Sequence, residues 1–457
     1  MANASDDNMG FEMVSYPPEC SPSSSTLTAD TLVNNDSEDS LGQVAIKRSA
    51  NCSQFRAQPM SLNEFKTMTD KDGRITDEHR FRKRIFKGGL AAEVRAEAWC
   101  FLFGVFPCHS TRVERESLCV KLAARYRALR RQWKTCLKLR WPTFDLNEVE
   151  NCILETKPQF ETSDVTIQEM DPPACKKKGA HLDVFDIEAQ SFARRHNCDV
   201  DKLCDSIRYI CKDVPRTERH GEYFRDVNGN AANMLLLRDM LTTFAFFCPD
   251  VGYVQGMNDI VSRFLTVLES EALSFWCFVN YILKVQKDFL SEGMVHKIVV
   301  LKDLLQDLDK DLFHYLSICG SEDLIFCHKW LLLCFLREFP FEDGLKLFEI
   351  LSTQHLELSS FTAQKNQAIA CRNYELQNGV RIVPGAKPSD YTFDLFVCVA
   401  ILVLHKNEIY NANDPSQIFQ TVSQLSCRLN LDQVLQEAES LFFYYCRRTV
   451  SDSFILI

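Results

Sequence analysis

Residues 200–217 read VDKLCDSIRYICKDVPRT. Leu203, Ile207 and Ile210 recur at steps of four and three, the period of one helical face. Pro215 disfavours helical geometry at the residue before it, so the helix is expected to end at Val214 and Arg216 to project from the turn that follows. Further along, residues 249–259 read PDVGYVQGMND and interrupt two strongly apolar helical stretches. Gly252 and Gly256 lie either side of Gln255 in that break, which suits a backbone that approaches another surface closely.

Outward from these two clusters the helical period dominates. From Arg80 the residues Leu90, Val94, Ala98, Phe101 and Leu102 share a face, with Glu93 and Glu97 opposite, and Pro107 closes the pattern. Residues 112–140 carry Leu118, Leu122, Tyr126, Leu129 and Trp133 in one stripe. Helical patterning runs from Asp183 through Cys211 and returns over 231–247, 258–289, 294–316, 321–338, 340–352, 391–405 and 431–448. The stripe Met294, Ile298, Leu301, Leu305, Leu308, Leu312 is too short for a coiled coil and reads as a core helix. Strands are nearly absent and no internal repeat emerges. The expected fold is all-α, as two packed helical subdomains.

Three segments lack this periodicity. Residues 1–58 are rich in Ser, Asn, Asp and Thr and cannot bury enough apolar surface to offset their ordering entropy, so a disordered N-terminal tail is expected, with order beginning near Ser61. Residues 141–180, with Pro158, Pro172 and Pro173, and residues 358–389, with Pro384-Gly385 and Pro388, read as irregular insertions within a domain spanning 80–450.

Composition narrows the function. A net charge of −10 removes the electrostatic footprint of a protein built to bind phosphate backbones, so no nucleic-acid partner is expected. The 20 cysteines are scattered through apolar stretches without a Cys-x-x-Cys pair, as buried thiols in a reducing compartment would be. The N-terminal residues, with Asp6 and Asp7, do not form a secretory signal, and Phe393–Leu404 is too short an apolar run to cross a bilayer. A cytoplasmic protein is expected, recruited to vesicle or organelle membranes by peripheral contact at most.

The spacings that nucleotide, zinc or acyl-transfer chemistry needs are absent: no Gly-x-x-x-x-Gly-Lys-Ser/Thr, no His-Glu-x-x-His, no Gly-x-Ser-x-Gly. What remains is the string IxxDVPRT ending at Thr217, followed by YVQGMND over 253–259. Together they resemble the two fingerprint motifs of the TBC family of Rab GTPase-activating proteins. A third family element matches Gly88-Gly89-Leu90 through Arg95 and Trp99, then Gly104, Phe106-Pro107 and Ser110-Thr111 to Glu114-Arg115. The wording is nearest the branch containing TBC members fifteen, sixteen and seventeen. A departure follows the second motif, where Ser262-Arg263-Phe264 stands in place of the usual proline.

The resemblance implies a GTPase activator that is not a stand-alone enzyme and carries no cofactor of its own, since GTP and magnesium belong to the partner. That partner is a Rab-family small GTPase in its GTP-bound state. Arg216 matches the family's arginine finger, whose planar guanidinium meets two phosphate oxygens at once. Gln255 matches the glutamine finger that positions the attacking water. Asp213, Thr217, Tyr253, Gly256 and Asp259 are expected to support these two or to meet the GTPase. The alternative is a helical scaffold that binds a Rab or another trafficking protein without accelerating hydrolysis, and the tail and the terminal Phe-Ile-Leu-Ile stand as weaker candidate recruitment motifs.

Overall fold

The computed structural model describes residues 56–140, 184–196, 199–217, 222–224, 232–356 and 391–452. The expected insertions and almost all of the expected tail lie outside these residues. Within them the chain is helical, with two isolated bridges, Met60 to Leu90 and Thr69 to Ile75, and no β-strand. The described chain starts earlier than composition implied. Arg56, assigned to the tail, reaches Glu439 at 2.7 Å, and the amide of Ala57 donates to the carbonyl of Lys87 at 3.0 Å.

Among the described residues the buried side chains form two apolar cores, in keeping with two helical subdomains. One gathers helices Ala92–Leu102, Arg112–Arg140, Val200–Asp213, Ala232–Phe247, Met257–Leu268 and Glu271–Val285 around Trp99, Trp133, Phe244 and Phe264. The other joins helices Ser291–Leu308, Phe393–Leu404 and Leu431–Asp452 around Leu305, Trp330, Phe396 and Phe442. Helix Phe341–Ser352 serves both, giving Leu345 and Phe348 to the first core and Leu347 and Ile350 to the second. Each fully buried aromatic or aliphatic side chain contributes about 1.5–3 kcal/mol relative to exposure. Among the described residues no helix is long and apolar enough to cross a membrane.

Several long helices expected from periodicity are broken. The stretch 258–289 is two helices, Met257–Leu268 and Glu271–Val285, separated where Glu269 takes φ 49°. The stretch 294–316 divides at Asp309, whose side chain caps helix Lys310–Ile318 by accepting from the amide of Leu312 at 3.1 Å. Asp199 similarly starts helix Val200–Asp213 within the run 183–211. The stretch 321–338 is not a helix. It holds the short 3₁₀ helix Ile325–Cys327, the five-residue α-helix His328–Leu332 and then a turn in which Cys334 and Phe335 both have positive φ, at 47° and 59°.

The first sequence element acquires a structural reason. Glu349, fully buried, accepts from Arg95 Nε at 2.6 Å, from Trp99 Nε1 at 3.0 Å and from the amide of Leu90 at 3.0 Å. Burial pushes its carboxyl up while Arg95 pulls it back down. Leu90, Arg95 and Trp99 therefore bind the N-terminal helices to helix Phe341–Ser352 through a single carboxylate.

Candidate functional site

Helix Val200–Asp213 buries Leu203, Cys204, Ile207, Ile210 and Asp213 against the first core and is capped at its start by Asp199. It ends where expected, with Val214 as its C-cap, but the backbone there differs from the expectation. Val214 stays helical at φ −54° and ψ −48°, and the chain tightens into a 3₁₀ turn, Val214–Arg216, that carries Pro215. Two features accommodate the proline: it enters the 3₁₀ turn as an early residue, where no amide is required, and Val214 is fixed by complete burial. Extended geometry begins only at Thr217, with ψ 129°.

The Arg216 guanidinium does not simply project. Its side chain is 58% exposed, yet Nε donates to the carbonyl of Lys212 at 3.0 Å and Nη2 donates to Asp213 Oδ1. Asp213 is buried, and its other carboxylate oxygen accepts from the hydroxyl of Tyr253 at 2.8 Å. Fully buried Thr217 accepts from Asn258 Nδ2 at 2.8 Å. The turn after the first motif is thus laced to the loop of the second by two cross-links, Asp213 to Tyr253 and Thr217 to Asn258. Burial and the neighbouring Asp213 charge push the Tyr253 phenol well above its usual range, so it remains a hydrogen-bond donor.

Gln255 lies two residues beyond Tyr253 and is exposed. Gly256 follows with φ 102°, a conformation side chains other than glycine rarely adopt. A Cβ at that position would lie 2.5 Å from Leu333 Cδ2, so the close approach expected of this loop is made to the protein's own interior. Gly256→Ala is expected to cost about 1–3 kcal/mol, read as a lower urea midpoint at unchanged slope. Gly252→Ala, at φ 61° with Ser206 Oγ 3.9 Å from the new Cβ, should cost about 1 kcal/mol or somewhat more, from backbone strain alone.

Asp259 is buried on the first turn of helix Met257–Leu268 and accepts from Arg337 Nε at 2.9 Å and from Nη2. Burial raises its carboxyl and Arg337 opposes that most strongly. The departure residue Arg263 lies inside helix Met257–Leu268, whose first residue is six positions earlier. It is buried, its guanidinium 4.3 Å from the Phe341 ring centroid. Asn258 and Arg337 were not singled out by sequence reading. Asn258 is legible in hindsight as the polar residue beside Asp259, whereas Arg337 is brought in by a turn that periodicity mistook for helix.

Every residue expected at the site falls within this one network or flanks it. Asp213, Arg216 and Thr217 come from the end of helix Val200–Asp213 and the turn after it, Tyr253, Gln255, Gly256 and Asp259 from the second loop and the helix that follows. Residues 185–371 match the model of the Rab-GTPase-TBC domain. Through that span the chain carries a TBC domain. Its fold agrees with the crystal structure of the Ypt/Rab-GAP domain of Gyp1p at a TM-score of 0.51, with 15% identity, over 84% of this chain and 96% of that one. In sequence it is similar to the GTPase-activating protein GYP7 of Yarrowia lipolytica, 30% identical over 399 residues that cover 86% of this chain and 45% of that protein. TBC1 domain family member 17 of Mus musculus is 26% identical over 85% of this chain and 46% of its own length. TBC1 domain family member 16 of Homo sapiens is 27% identical over 82% and 37%. The chain therefore spans less than half the length of each of these curated relatives.

Proposed function

We propose that this TBC domain accelerates GTP hydrolysis on a Rab-type small GTPase in its GTP-bound state, donating Arg216 and Gln255 to the partner's active site. The observation that supports this reading is the lacing of the two motif loops by Asp213, Tyr253, Thr217 and Asn258, with Arg216 and Gln255 left exposed on them. Phosphoryl transfer to water needs little covalent chemistry from protein. It needs charge stabilisation on the phosphoryl oxygens and an oriented nucleophile. The Arg216 guanidinium supplies the first, and the Gln255 carboxamide, which accepts from water and donates to phosphate, supplies the second. GTP and its magnesium are the partner's.

Arg216 rests on Asp213 until a partner arrives. The pair joins a half-exposed guanidinium to a buried carboxylate that keeps its bond from Tyr253, so releasing it costs about 1 kcal/mol, little beside what a phosphate contact returns. Asp213 stays anchored by Tyr253 and defines the place the guanidinium starts from.

The experiment is single-turnover GTP hydrolysis with a panel of Rab proteins. At least one is expected to hydrolyse faster with the wild-type chain, and Gln255→Ala should reduce that saturated rate about 10²- to 10³-fold. Tight binding to a GTP-loaded Rab with no acceleration of any member would replace this reading with that of a scaffold.

A further inference from the structure

The loop that carries Gln255 is tied upstream by Tyr253 to Asp213, and a different part of the chain lies against it downstream. The turn Leu333 to Arg337 lies directly beneath the second motif. Leu333 Cδ2 occupies the space a side chain at position 256 would need, and Arg337 grips Asp259 through two donors of its guanidinium. The turn that presents them is strained: Cys334 and Phe335 are consecutive non-glycine residues in the left-handed region. Each costs about 1–2 kcal/mol, a cost the surrounding structure must overcome.

The anchors that overcome it are specific. Phe335 is fully buried, its amide donating to the carbonyl of Trp330 at 2.9 Å, and Cys334 Sγ lies 2.9 Å from the hydroxyl of Tyr281. Glu338 immediately after is buried, takes Lys329 at 3.2 Å and accepts from the Ser426 hydroxyl. A strained turn fixed at both ends has one outward product, the guanidinium of Arg337, 56% exposed and aimed at a buried carboxylate four residues past Gln255.

We infer that Arg337 is a positioning residue for Gln255, acting through Asp259 to fix the start of helix Met257–Leu268 and with it the loop that presents the carboxamide. The inference rests on the role proposed for Gln255 and extends it to a residue outside both sequence motifs. Arg337 touches no reacting atom in this scheme. Lysine can replace its charge but not its paired donors.

Two measurements on the full chain test it. Hydrogen exchange of wild type, Arg337→Ala and Arg337→Lys reads the loop without any GTPase. Faster exchange is expected over residues 252–259 in Arg337→Ala, a smaller rise in Arg337→Lys, and no change in helix Leu431–Asp452. Unchanged exchange over 252–259 in both variants overturns the inference. Single-turnover hydrolysis with a stimulated Rab reads the consequence. Arg337→Ala is expected to lower the saturated rate about 10- to 100-fold at an unchanged half-saturating concentration, with partial recovery in Arg337→Lys. It should add little to Gln255→Ala, because both act on one group. A raised half-saturating concentration at an unchanged saturated rate would make Arg337 a partner contact and overturn the positioning role. If the wild-type chain stimulates no Rab, the proposed activity fails, while the exchange result still decides whether Arg337 orders the loop.

Discussion

Arg216→Ala is expected to lower the saturated rate of GTP hydrolysis on the partner by about 10³- to 10⁵-fold, the range an arginine supplied in trans commands. At about 1.4 kcal/mol per decade this is roughly 4–7 kcal/mol of transition-state stabilisation, far beyond the worth of the resting pair with Asp213. Folding should be almost untouched, because the Arg216 side chain is 58% exposed and its two contacts are local. The thermal midpoint of the variant should stay within a few degrees of wild type. Arg216→Lys should recover little, since an ammonium presents a point charge where a planar fork is needed. Single-turnover rates at saturating activator, with melting curves on the same preparations, check both halves. A variant that keeps its rate, or loses rate only as it unfolds, contradicts the role.

Glu349→Ala is expected to destabilise the chain by about 3–5 kcal/mol, the cost of depriving a buried cation of its one buried counter-charge among the described residues. The same change strips acceptors from Trp99 Nε1 and from the amide of Leu90. Glu342→Ala is the internal control. Glu342 also meets Arg95, at 3.0 Å, but from a side chain 72% exposed, so its loss should cost less than about 1 kcal/mol. Glu349→Gln should fall between them, keeping one acceptor while removing the charge. Urea unfolding with a constant slope across the three variants provides the comparison. Equal costs for Glu349→Ala and Glu342→Ala would show that the buried carboxylate is not the joint described.

Much of the helical body was legible because its stripes are regular. Residues 112–140, 231–247, 340–352, 391–405 and 431–448 lie close to the observed helices. The breaks were harder. Apolar spacing continues in phase across Glu269 and Asp309, so periodicity runs through points where the backbone turns. At Asp309 and Asp199 the capping side chain was the available signal. At Glu269 no residue type announces a left-handed conformation. The turn at Cys334 and Phe335 was concealed for the same reason, by apolar residues that pack equally well in a helix. At the site, both motif loops were readable from local sequence, and Asp213 with Tyr253 fell among the expected residues. The hydrogen bond between them, and the grip of Arg337 on Asp259 across 78 residues, are tertiary facts that spacing does not carry. Nor did Pro215 reveal that Arg216 would fold back: the proline rule concerns Val214's backbone, and burial of the Val214 side chain outweighs it.

The most direct test of two side chains acting on a phosphate in another molecule is complex formation with a GDP-loaded Rab, with and without aluminium fluoride and magnesium. A site complementary to the transition state binds its mimic far more tightly than either ground state. A stable complex is expected only when fluoride is present, weakened in Gln255→Ala and lost in Arg216→Ala. Equal binding with and without fluoride, or a fluoride-dependent complex indifferent to Arg216, would contradict the role of this TBC domain as a donor of catalytic groups.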